Sequence, residues 1–178
     1  SIGNCSDSDA RMSRLLAERD FHQEQARQRW RVLGADPLRL RVQADDYLDH
    51  ETWLRPAFDL LGPVAGRRLL DYGCGHGMAG VLLADLGAEV FAFDLAGGYV
   101  AEAAARAEVN RVATRWMGVQ AAGERLPFAD ASFDRVWAHA ILHHVDLPTA
   151  AAELCRVLRP GGWVVAAEPW GGNPLLAW

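Results

Sequence analysis

The chain has 178 residues, of which 51% are apolar, and a formal net charge of −5. That length allows one domain with a sizeable core and a small helical appendage, and the mildly negative charge argues against a general nucleic-acid binder. Lysine is absent, so all 18 basic residues are arginines. This excludes a lysine Schiff base to pyridoxal phosphate within the chain, and it excludes a P-loop, whose phosphate-reaching lysine follows the last glycine.

Residues 1–11 read as a lead-in outside the fold, and residues 12–31 as a helix whose sparse apolar positions are Leu15, Leu16, Phe21 and Trp30. Gly34 and Asp36-Pro37 end it. Eight arginines stand against four acids from Arg11 to Arg41, which reads as a solvated helix face. A second helix is expected from Asp49 to Leu61, closed by Gly62-Pro63, so that residues 1–63 form a lead-in and helical cap and residues 64–178 a core domain. From Gly66 onward strands (68–72, 89–93, 114–119, 134–138, 162–168) alternate with helices (77–86, 97–108, 140–144, 148–157). Regular alternation predicts an α/β fold, an open and mostly parallel sheet wound on both faces by right-handed crossovers. Ligands bind such sheets outside the strand C-termini, near the switch in strand order.

Cys5, Cys74 and Cys155 are far apart and odd in number, which suggests neither a disulfide framework nor a metal site. No metal is expected from the histidines either, because no carboxylate or cysteine stands at ligand spacing. With no long apolar run and no N-terminal signal pattern, a cytoplasmic protein without membrane contact is the expectation.

The most informative stretch is Leu69-Leu70-Asp71-Tyr72-Gly73-Cys74-Gly75-His76-Gly77, a short apolar strand running into a loop with glycine at every second position. Such glycines permit positive φ and let a ligand lie against the backbone, while the helix that follows points its free N–H groups at the same place. Gly75, Gly77 and Gly80 satisfy the dinucleotide pattern G-x-G-x-x-G, with Asp94 nineteen residues beyond Gly75. The same stretch also satisfies D-x-G-x-G-x-G, and the carboxylate of Asp71 suits a cationic ligand better than a phosphate. On the loop alone both ligands, and a plain tight turn, stay open.

Downstream, Val90-Phe91-Ala92-Phe93-Asp94 is a strand ending in a carboxylate that can accept from two ribose hydroxyls. Then follow Glu124-Arg125-Leu126-Pro127-Phe128, Ser132-Phe133-Asp134, Leu142-His143-His144-Val145 and Arg156-Val157-Leu158-Arg159-Pro160-Gly161-Gly162. In this order and spacing the blocks resemble the class I S-adenosylmethionine-dependent methyltransferases, particularly the branch with the ubiquinone and menaquinone biosynthesis enzymes, over about residues 64–170.

The resemblance implies a Rossmann-like domain that binds S-adenosylmethionine, releases S-adenosylhomocysteine and methylates a small-molecule acceptor. By the same resemblance Asp71 holds the methionine ammonium, and Gly73, Cys74, Gly75 and Gly77 form the loop around the carboxypropyl chain. Asp94 takes the ribose diol, Leu95 lies on the adenine face, Gly123 offers its N–H to the adenine edge, and Glu124 braces the neighbouring loop. His139 stands near the methyl donor as a cofactor contact or general base, with His144 near the cofactor. Tyr47, His50, Glu51 and Trp53 read either as acceptor-pocket lining or as core. Trp170 and Trp178 line a substrate mouth or lie under a missing hairpin.

Two departures stand out. Ala122 occupies the position where the family commonly has an adenine-binding aspartate, and the two-strand hairpin that follows the fifth strand in the family has no room before Trp178. The uncovered sheet edge then invites pairing of two copies. Two further readings are a non-catalytic cofactor-binding or assembly module and, behind it, a nicotinamide-dependent oxidoreductase.

Overall fold

The computed structural model describes residues 4–33 and 36–168. Its centre is a five-stranded, all-parallel sheet of order β3-β2-β1-β4-β5. The strands are β1 (Arg68–Tyr72), β2 (Glu89–Asp94), β3 (Trp116–Gln120), β4 (Phe133–His139) and β5 (Leu158–Ala167). The switch in strand order falls between β1 and β4, so the C-terminal ends of β1, β2 and β4 open onto one crevice. β1 is buried on both faces, as a central parallel strand must be. Leu69 faces a core built with helices α4 (Met78–Asp85) and α5 (Gly97–Val109) and the short helices α2 (Ala44–Leu48) and α3 (Leu54–Asp59). Leu70 and Tyr72 face the opposite core, built with α6 (Leu147–Val157) and the segment around Leu126.

Several expectations need correction. The expected helix 49–61 is broken: α2 ends at Leu48 and α3 begins at Leu54, with the turn between them held by the Leu54 N–H donating to the Glu51 carbonyl. The expected helix 140–144 is only a short turn at Leu142–His144. There Ala140 takes a φ of 53°, and the N–H groups of Ile141 and Leu142 donate to Glu168 Oε1. Residues 4–11 are no lead-in, because α1 runs unbroken from Asn4 to Leu33, a span without glycine or proline.

β5 begins at Leu158, which pairs with Phe133, ahead of the expected start. Regular pairing resumes at Trp163 opposite Arg135, and the Arg159–Gly162 segment bulges between, with Gly161 at a φ of 80°. Trp170 and Trp178 lie outside the described residues.

α1 packs across the N-terminal half of α5 and the mouth of the crevice. Arg29 pairs with the buried Glu102 at 3.0 Å, Gln23 accepts the Gly98 N–H at 3.0 Å, and Tyr99 donates to Gln25 at 3.2 Å. Arg29 thus holds the buried Glu102, and Arg14 likewise reaches Glu124 at 2.8 Å, so the arginine-rich face is not wholly solvated.

Candidate functional site

The site grows from the glycine loop between β1 and α4. Gly73, Gly75 and Gly77 all have positive φ (74°, 48° and 84°), a region that L side chains rarely adopt. Two bonds lock the loop onto β2: the Cys74 N–H donates to the Phe93 carbonyl at 2.8 Å and the Gly75 N–H to Asp94 Oδ2 at 2.9 Å. Asp94 Oδ1 accepts the Ala96 N–H at 2.9 Å. Burial pushes the Asp94 carboxyl above its ordinary range, against the pull of those N–H groups. A carboxylate has about four acceptor sites, so capacity remains for a ligand.

Asp71 sits one residue before the end of β1, 2% exposed. Among the described residues its buried Oδ2 has no hydrogen-bond partner, and burial pushes the carboxyl up to about 7, opposed by the nearby Gly80 N–H and reinforced by Asp94. A Cβ on Gly80 would come within 2.8 Å of both Asp71 Oδ2 and Trp116 Nε1, so only glycine lets α4 approach the buried acid.

These groups border a cleft of about 550 Å³ at the switch point. It brings together Asp71, Gly73, Cys74, Gly75, Asp94, Leu95, Gly123, Glu124, His139 and His144, which the sequence singles out from four separate loops. Gly77 does not line it. As the residue preceding α4, Gly77 lies against α5, where a Cβ would stand 2.5 Å from that of Ala103; its smallness serves helix packing. Cys74 is half-buried in the wall of the cleft, and desolvation pushes its thiol well above the ordinary range, which disfavours a thiolate there. Glu124 accepts from Arg14 at 2.8 Å and from the Asp146 N–H at 3.0 Å. A Cβ on Gly123 would meet Tyr72 Oη at 2.3 Å, so the chain passes this point only as glycine.

His139, at the end of β4, is ringed by aromatic side chains: Tyr47 at 5.9 Å and Trp53 at 5.7 Å between ring centroids, both edge-on, with His50 at 6.3 Å. Burial and His50 lower its basicity, opposed by Glu168 and Glu51. Tyr47 and His50 line the cleft, whereas Trp53 stands behind His139 and is not part of the lining.

Sequence reasoning missed one wall. Leu15, Glu18, His22 and Gln25 of α1 all face the cleft. Their spacing of three, four and three residues places them on one face of a helix, which was the available signal. His76 also lines the cleft, with its basicity lowered to about 4 chiefly by burial. Among the described residues no group of three His, Cys, Asp or Glu side chains is arranged to hold a metal, and no helix is long and apolar enough to cross a membrane.

An open parallel sheet with a glycine loop and two carboxylates at its switch point defines a nucleoside-cofactor-binding α/β domain. Comparison narrows the class: residues 70–166 match the methyltransferase domain family, and the chain belongs to the class I S-adenosylmethionine-dependent methyltransferases. It is 40% identical over 123 residues to the demethylmenaquinone methyltransferase of Beutenbergia cavernae, covering 66% of this chain and 49% of that one. The chain spans about half the length of the curated relatives it matches. Among solved structures it is similar to a geranyl diphosphate methyltransferase in complex with S-adenosylmethionine (27% identity, TM-score 0.59, 63% of this chain and 47% of that one). It is also similar to the cyclase SpnF (31% identity, TM-score 0.57, 63% and 45%).

Proposed function

We propose that this domain binds S-adenosylmethionine in the cleft and transfers its methyl group to a small-molecule acceptor, releasing S-adenosylhomocysteine. The observation that carries the reading is the glycine loop locked to Asp94 beside the buried, unpaired Asp71 oxygen. The residues fit the cofactor: a Cβ on Gly75 would stand in open space, so the loop leaves a cradle, and Asp71 offers negative charge to a cationic methionine end. When bound, S-adenosylmethionine supplies a methyl on a sulfonium sulfur already primed to leave.

The chain's own residues then align and shield. Asp71 faces the methionine ammonium, and Gly73 and Gly75 admit the chain that carries it. Cys74 stays part of the loop backbone. Asp94 holds the ribose diol with its remaining lone pairs, Leu95 covers the adenine face, and the Gly123 N–H meets the adenine edge beside Ala122. Glu124 and His144 tie that edge to α1, whose cleft face excludes water, and alignment with exclusion of water is the main contribution an in-line displacement requires. His139, with Tyr47 and His50, borders the acceptor.

Further parts of the proposal are a division into a cap (residues 1–63) and a cofactor-binding core (64–178), a cytoplasmic location, and pairing of two copies along β5, a terminal strand of the described sheet. The test is incubation of the chain with methyl-labelled S-adenosylmethionine and a panel of phenols and quinols. Label in an extractable product, with matching S-adenosylhomocysteine, supports the reading. Tight cofactor binding with no transfer to any acceptor favours the second reading, a binding module without methyl transfer. Two observations support that second reading: Ala122 where the family commonly has aspartate, and similarity to a protein named as a cyclase.

A further inference from the structure

Three side chains at the end of β4 form a directed relay. Trp137 Nε1 donates to Tyr47 Oη at 3.3 Å, and Tyr47 Oη lies 3.1 Å from His139 Nδ1. Trp137 is fully buried and Tyr47 is 6% exposed. An indole N–H can only donate, so the phenol oxygen accepts on that side. The phenol has one proton, and among the described residues His139 Nδ1 is its only other hydrogen-bonding neighbour. Were Nδ1 protonated, both neighbours would donate to the phenol oxygen and the phenol O–H would be buried with no acceptor, an arrangement native interiors avoid. The phenol therefore donates to Nδ1, and a neutral His139 ring carries its proton on Nε2. Nε2 is bonded to no protein group among the described residues, and His139 lines the cleft.

The charged and titratable groups around the ring leave this arrangement undisturbed. They are His50 and Glu51 from the cap, His76 from the glycine loop, Asp71 beside Tyr47, and Glu168 after β5. Glu168 is engaged by Ile141, Leu142 and His143, and among the described residues no carboxylate hydrogen-bonds His139. Burial favours the neutral imidazole, and burial together with Asp71 holds the Tyr47 phenol well above its ordinary range, so it keeps the proton it donates.

We propose that Tyr47 is a positioning residue that fixes His139 as its Nε2–H tautomer, so that His139 meets the methyl acceptor as a hydrogen-bond donor and not as the base that deprotonates it. This rests on the methyl-transfer reading for the identity of the acceptor, but the tautomer itself does not. A donor at this place suits an acceptor that arrives already ionised at oxygen, a phenolate or an enolate, whose oxygen takes the Nε2 proton as a hydrogen bond. The acceptor's electron pair forms the new bond to the methyl carbon, and the carbon–sulfur bond breaks with its pair going to sulfur. The anion and the sulfonium cancel, so no proton has to move in that step.

The experiment is two-bond proton–nitrogen correlation spectroscopy of the full nitrogen-labelled chain near neutral pH, with His139 assigned by the signals lost in His139→Gln. The expected pattern is a protonated Nε2 and a bare Nδ1. In Tyr47→Phe the pattern should become a mixture of tautomers, and the His139 titration midpoint should rise by about one pH unit, since a hydrogen bond to the neutral form is lost. Nδ1–H in the wild-type chain, or a Tyr47→Phe spectrum that matches wild type, overturns the proposal. No cofactor or acceptor enters this measurement. The expected tautomer in a chain that binds no S-adenosylmethionine would therefore sink the functional reading alone.

Discussion

Arg14 of α1 donates to Glu124 Oε1 at 2.8 Å across 110 residues of sequence, and the same guanidinium also reaches the His144 carbonyl. One side chain thus pins the helix to both loops on the far side of the cleft. Arg14→Ala should cost about 1–2 kcal/mol of stability, since among the described residues Glu124 then keeps the Asp146 N–H alone and Arg14 is itself partly exposed. Hydrogen exchange along α1 should quicken and S-adenosylhomocysteine should dissociate several-fold faster. Exchange in α1 identical to wild type would show that the helix is held elsewhere.

Asp94 has two tasks in this structure, loop anchor and proposed ribose acceptor. Asp94→Ala should lower affinity for S-adenosylhomocysteine at least about tenfold, the effect of roughly 1.4 kcal/mol. It should also lower the melting temperature, because the Gly75 and Ala96 N–H groups lose their acceptor. Calorimetry and thermal melts on one preparation check both. Unchanged affinity would remove Asp94 from the ligand.

The glycine loop and the first two strands were legible because they are local: glycines at alternate positions and short apolar runs ending in Asp71 and Asp94 carry their geometry in a few residues. The strand expected over 162–168 starts earlier, at Leu158, with Arg159-Pro160-Gly161-Gly162 as a bulge inside it, since a terminal strand tolerates proline and glycine there. The α1 wall was not legible. Arg14 and Arg29 resemble any solvated arginine until Glu124 and Glu102 are brought to them by the fold. Likewise, nothing in the sequence joins Tyr47 to His139, 92 positions apart.

Asp71 predicts a pH dependence. Its carboxyl ionises near 3.8 when unshielded and near 7 in the fold. Between those values the folded chain keeps a proton that the unfolded chain has released. Its contribution is therefore fully present below about pH 4, falls as pH rises through 7, and is level above. Asp71→Asn removes that slope, so the variant should gain on wild type by about 4 kcal/mol between acid and mildly alkaline pH, as read by denaturant titrations at several pH values. If a cationic methionine end binds the ionised acid, cofactor binding below pH 7 should also release a proton, visible as a dependence on buffer ionisation enthalpy. A stability difference that stays flat with pH would mean that Asp71 is ionised throughout.

Ala122 borders the cleft beside Gly123. Ala122→Asp should tighten S-adenosylmethionine binding about tenfold if the adenine lies against this edge, by adding one hydrogen bond to its amino group. No gain in calorimetry would place the adenine elsewhere in the cleft.

The most direct test of the central claim is calorimetric titration of this chain with S-adenosylmethionine, S-adenosylhomocysteine and NAD. A cleft built from the Asp71–Gly75 loop and Asp94 predicts micromolar binding of the first two and none of NAD. Binding of NAD alone, or no heat from either sulfur compound, would contradict it.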